Sequence, residues 1–268
     1  QGVFGTVPGA ALTFLTMYFQ YLGVSDAVCA LMNSLRIVGE CCGGLLGGII
    51  GDMLNARIPK YGRALTAQIS VLSSLPFMYA IFIAVPRSVS FVGVYAGLLF
   101  LHGLIGSWVA PGCICPTICD TIPRRFLASA YAWELALVFC SGNTVGPLLV
   151  GWTSQKFFGY RLSTDQVTEM KSGDRQQNAE ALGHALFFSC AIPYAMCAAL
   201  FTLLYLTYAN DTLAASALDK SDESGTDTGD PAPPTSETWL LSKRPRPHHA
   251  ASPQADKADK ADKVGVPI

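Results

Sequence analysis

The residues best suited to chemistry lie where charge is least welcome. Asn33, Arg36 and Glu40 share one face of an otherwise apolar run, and Arg36 and Glu40 stand at the i, i+4 spacing of an intrahelical ion pair. A charge at bilayer depth is costly, so such residues usually face a bundle interior or an aqueous path. Two readings of the pair stand side by side. In one it neutralises itself and merely lets the run insert. In the other it lines a transport path, with Arg36 binding an anionic group and Glu40 accepting a proton when its partner is occupied. His102, midway along a later run, is either a proton relay, because its charge changes near neutral pH, or a neutral core histidine. Glu134 lies about two turns inside the fifth run, at a depth close to that of Glu40.

A second constellation follows on the same run. Glycines recur every fourth residue at Gly39, Gly43, Gly47 and Gly51, which puts bare backbone along one helix face and lets a neighbouring helix approach closely. Beside that row runs Arg36, Glu40, Gly44, Gly48 and Asp52. Asp52 meets the negative end of the helix dipole and therefore calls for a cation or another helix's N-terminus as partner. The loop that follows offers Arg57, Lys60 and Arg63.

Gly48-x-x-x-Asp52 followed by Gly62-Arg63 resembles the loop signature of the major facilitator superfamily, found between the second and third helices of each six-helix half. The loop here is longer than usual, and with Arg57, Pro59 and Lys60 it looks like the spinster-like branch of plants and algae. The stretches Gly5 to Pro8, Pro59 to Ser70, Ser107 to Pro111 and Ile122 to Ala132 agree with it, and the resemblance covers roughly residues 2 to 208. It implies a transporter that binds substrate between two halves and alternates access by rocking. Gly48, Asp52, Arg57, Gly62 and Arg63 would then form a gate latch on the cytoplasmic side. Related transporters often carry an acid-plus-basic pair near Glu134, where this chain has Trp133 and Glu134.

The elements that position these residues are apolar helices. Of 268 residues 51% are hydrophobic and 14% charged, with mean hydropathy +0.36, a membrane composition. Net charge is −1 and there is no basic, aromatic-interleaved patch, which argues against nucleic acid as a partner. Hydropathy marks six spans: Val3 to Val24, Asp26 to Leu54, Arg63 to Val85, Ser88 to Ile122, Phe126 to Lys156 and Gly183 to Ala209. Spanning backbone must satisfy its own hydrogen bonds, and no alternating strand pattern appears, so the spans are helices. Prolines at Pro76, Pro111, Pro116, Pro147 and Pro193 predict kinks.

Lysine and arginine gather in the loops after the second and fourth spans, at Arg57, Lys60, Arg63, Arg124 and Arg125, which places those loops and the tail in the cytoplasm. From Asp211 the sequence turns acidic, Pro-rich and repetitive, the composition of a disordered tail. Neither His248 with His249 nor Cys113, Cys115 and Cys119 has metal-site companions at standard spacing, so packing is the better reading of the thiols. No nucleophile elbow, phosphate loop or two-histidine metal helix suggests an enzyme.

The fold expected is an all-α membrane protein, a six-transmembrane-helix bundle forming one half of a major-facilitator-type fold over residues 1–210, with a disordered tail over 211–268. Because Gln1 leads straight into an apolar run, an N-terminal six-helix half is the expected partner, alongside membrane lipid and a small-molecule or lipid-derived substrate. No cofactor is called for beyond proton or ion coupling. A stand-alone six-helix dimer or scaffold, or a channel, is the alternative.

Overall fold

The computed structural model describes residues 4–161, 167 and 170–225, and the side chains of these up to Ser221. Among the described residues every regular element is a helix. Five segments are long and apolar enough to cross a membrane: Asp26–Arg57, Gly62–Ala84, Val89–Thr121, Arg124–Lys156 and Ser172–Phe201. The chain is a multi-pass α-helical membrane protein. Its outer faces carry Leu31, Leu45, Trp133, Phe139 and Leu148, all well exposed and suited to lipid rather than water.

The first expected span takes a different form. Its helical run is built from α1 (Val7–Ala11), a 3-10 turn (Leu12–Phe14) and α2 (Leu15–Tyr21). At about 1.5 Å per residue it reaches roughly 22 Å, short of a bilayer core of about 30 Å. The hydroxyl of Thr13 donates to the carbonyl of Ala10 at 2.7 Å, an i−3 bond that suits the tightened turn. This short run is the most deeply buried part of the bundle. Tyr18 and Phe19 pack edge-on against Phe82 and Tyr95 at 5.4 and 5.2 Å.

The next four spans lie where hydropathy puts them. Helix α3 (Asp26–Arg57) is followed by α4 (Gly62–Tyr79), which ends in a π-turn, Ala80–Ala84, four residues after Pro76. Helix α5 (Val92–Gly106), a second π-turn (Ala110–Ile114) that contains Pro111, and α6 (Cys115–Thr121) make up one interrupted span. Proline withholds an N–H from the ladder, and a locally widened turn is one way the backbone absorbs the loss. Helix α7 (Leu127–Lys156) then takes Pro147 in its interior.

The sixth expected span is displaced. Helix α8 runs Ser172–Phe201, starting eleven residues before the expected Gly183. Its first turns are polar on one side only: Ala179 and Leu182 are buried, and Asn178 both accepts from the Arg161 N–H and donates to the Arg161 carbonyl, each at 3.0 Å. Hydropathy registers the polar side and misses the helix. The chain breaks at Thr202 and Leu203 and resumes as α9 (Leu204–Gly225). Asp211, where the composition turns polar, lies within α9, and one compact unit extends to Asp222. Only the last turn of α9 is described beyond that unit. The remaining tail calls, including His248 and His249, lie outside the described residues.

Helix α3 and helix α5 meet backbone to backbone. A Cβ placed on Gly47 would stand 2.6 Å from Trp108 Cα, and one on Gly112 would stand 2.6 Å from the Gly47 carbonyl oxygen. A Cβ on Gly39 or Gly43 would collide with the carbonyl of Phe100 or Leu104, and one on Gly103 with that of Arg36. The four-residue glycine row is thus buried as a seam.

Candidate functional site

Two charged constellations lie on α3, one mid-span and one at its end. At the end, Arg63 Nη1 donates to Asp52 Oδ1 at 2.7 Å across the α3–α4 turn. The two partners differ in setting: the Arg63 side chain is 11% exposed and that of Asp52 72%. What brings them together is Gly62. A Cβ there would lie 2.5 Å from Asn55 Cα and N, so only a glycine lets the start of α4 rest on the last turns of α3. Arg57 and Lys60 are exposed and carry no ion pair among the described residues, and a Cβ on Gly48 would make only an ordinary contact with Pro111, at 3.9 Å. Of the residues offered to Asp52 by the loop, Arg63 is the one engaged.

Two residues that spacing did not single out complete this end. Asp120, in the last turn of α6, brings Oδ2 to 4.0 Å from Arg63 Nε. The same oxygen accepts the Tyr208 hydroxyl of α9 at 2.7 Å. Burial and the neighbouring carboxylate push the Tyr208 phenol up to about 12, so it remains a protonated donor at any physiological pH. Around it Tyr205 donates to Gln68 and packs edge-on against Tyr61 at 5.4 Å, while the Arg124 N–H donates to Asp219 at 3.2 Å. Asp120 was legible by the dipole argument used for Asp52, since it too is a carboxylate at a helix C-terminus. Tyr208 carried no such signal.

Mid-span, Arg36 is hydrogen-bonded to Glu40 through Nη1 and donates through Nε to Asn33 Oδ1 at 3.2 Å. The three residues thus form the single-face cluster their spacing implies. Their side chains are partly open, Arg36 at 17% and Glu40 at 38% exposure. His102, 4% exposed on α5, packs edge-on to Phe77 at 6.3 Å. Neither ring nitrogen finds a hydrogen-bond partner among the described residues. Glu134, on α7, has no ion pair among the described residues.

Cys115 and Cys119 are exposed free thiols, with Cys119 Sγ 3.3 Å from the Tyr131 hydroxyl, and Cys113 is buried. No group of three metal-ligating side chains assembles among the described residues. Compared with known proteins, the chain matches no family model and no curated protein.

Proposed function

We propose that this chain is a six-helix half of a secondary transporter of the major facilitator type, spinster-like in its gate loop, moving an organic solute or an amphiphilic anion by alternating access. The observation that carries the reading is the placement of two charged constellations on α3. Asn33, Arg36 and Glu40 sit inside the apolar span, and Asp52 with Arg63 closes the turn at its end. A span that needed only to insert has no use for the first. A turn that needed only to connect has no use for an arginine 11% exposed and bonded across it. The short run α1 and α2 completes a six-element half, buried against α3, α7 and α8.

In this reading Arg36 takes an anionic group of the cargo, which releases Glu40 to exchange a proton. Asp52 and Arg63 hold the cytoplasmic end closed in one state and part in the other. The basic residues Arg57, Lys60, Arg124 and Arg125 support a cytoplasmic position for that end.

The direct test is state exchange. In the full-length protein, Arg63→Ala should leave insertion intact and raise thiol accessibility at the α3–α4 end severalfold; unchanged accessibility with unchanged insertion sinks the gate. For the mid-span cluster, a panel of amphiphilic carboxylates and sulfonates is screened by thermal shift. Protection that disappears in Arg36→Ala and becomes pH-independent in Glu40→Gln supports the path. A panel with no protecting anion removes it. Orientation is read by glycosylation: an acceptor inserted between Ser163 and Asn178 should be modified, and one near Thr235 should stay bare.

A further inference from the structure

We propose that Tyr208, carried by α9, is a positioning residue for the latch: it holds Asp120 off Arg63 and thereby commits the guanidinium to Asp52. The inference rests on the gate reading above and adds its control. It stands on one oxygen atom. Asp120 Oδ2 accepts the Tyr208 hydroxyl at 2.7 Å and lies 4.0 Å from Arg63 Nε. That Nε–H is buried and has no hydrogen-bond partner among the described residues. A buried donor left unpaired is drawn toward any acceptor that comes free, because its lost hydration is otherwise uncompensated. The acceptor nearest at hand is the one Tyr208 occupies.

Helix α9 is placed to enforce this. Tyr205 anchors it to Gln68 and Tyr61 on one side of Tyr208, and Asp219 anchors it to the Arg124 backbone on the other. The Tyr208 ring between these tethers is 6% exposed, so the hydroxyl has little freedom to leave Asp120 while α9 is docked. When α9 lifts, Oδ2 loses its donor and competes with Asp52 for Arg63. The strap then sets how firmly the α3–α4 turn is closed. Whatever binds or modifies the outer face of α9 acts on the gate through one hydroxyl.

The experiment is hydrogen–deuterium exchange of the full chain in lipid nanodiscs, read at the amides of Ile58, Tyr61 and Gly62. These bond to Leu54 and Ile58 carbonyls inside the turn and report its opening. Tyr208→Phe keeps the ring and removes the donor. It should raise exchange there about tenfold, the effect of losing one hydrogen bond to a charged acceptor, while the α3–α5 seam stays protected. Asp120→Asn added to Tyr208→Phe should bring exchange back to within about twofold of the unsubstituted chain, since the competing carboxylate is gone. A strap that merely braces the bundle gives no such reversal, and a double variant as open as Tyr208→Phe alone overturns the proposal. Arg63→Ala separates the two ideas. If it opens the turn and Tyr208→Phe does not, the control by α9 is wrong and the gate stands. If Arg63→Ala leaves the turn protected, the gate falls and this inference with it.

Discussion

Helix α3 carries two ion pairs that look alike in a sequence and differ in what they hold. Arg36 and Glu40 are four residues apart on one helix, so their bond joins α3 to itself and survives any movement of α3 as a body. Arg63 and Asp52 belong to two helices, and their bond cannot survive a change in the angle between them. An intrahelical pair in a span is therefore suited to meeting a ligand without altering the scaffold. A pair across a turn is suited to reporting or restraining motion. Solvent separates them further: Asp52 is largely open to water while Arg63 is not, so most of the consequence of breaking the second pair falls on the arginine.

The contrast can be broken in several places. The largest expected effect is from Gly62→Ala, because its Cβ meets backbone of Asn55 at 2.5 Å and backbone cannot yield as a side chain can. A loss of about 3 kcal/mol is expected from such overpacking, read as a lowered Tm in detergent. Gly48→Ala, with nothing nearer than Pro111 at 3.9 Å, should be silent in the same assay. If the two behave alike, the close approach is not what assembles the second pair. Next comes Arg63→Ala at about 2 kcal/mol, since it removes the bond to Asp52 and the positive charge that lies 4.0 Å from Asp120.

Asp52→Asn should cost less, about 1 kcal/mol or under, and should shrink further in high salt because the carboxylate faces water. A salt-insensitive cost equal to that of Arg63→Ala would mean the pair acts as a buried unit. Smallest is the joint replacement of Arg36 and Glu40 by apolar residues of similar volume. Stability should change by less than about 1 kcal/mol, since a paired charge is readily exchanged for good packing. A large loss there would give the mid-span pair a scaffold role and erase the contrast.

Much of this was legible from residue order. The spans from Asp26 to Lys156 emerge within a few residues of their hydropathy limits, because in lipid the solvent-facing and partner-facing sides of a helix are both apolar and the whole segment stands out. The glycine row was equally legible, since its function depends only on spacing along one helix. What stayed hidden depends on two chains of contact meeting in space. The first turns of α8 and the body of α9 are rich in polar residues, so averaged hydropathy misses them although both are helical. Tyr208 and Asp120 are 88 residues apart, and no local pattern announces the hydrogen bond between them.

The seam between α3 and α5 also has a mechanical meaning. Side chains flex, and contacts made through them absorb small displacements before passing them on. Where Gly47 lies against Trp108 Cα and Gly51 against the backbone of Gly112, that compliance is missing. Over this stretch α3 and the interrupted span beside it have little room to give. Arg36 and Asp52 are sixteen residues apart on α3, about 24 Å at the usual helical rise. A tilt of only ~5° about the Arg36 end would carry the Asp52 end through about 2 Å over that length, enough to part a hydrogen bond of 2.7 Å. In the transporter proposed above, bare backbone would be the lever, and the charges at its two ends the load and the catch.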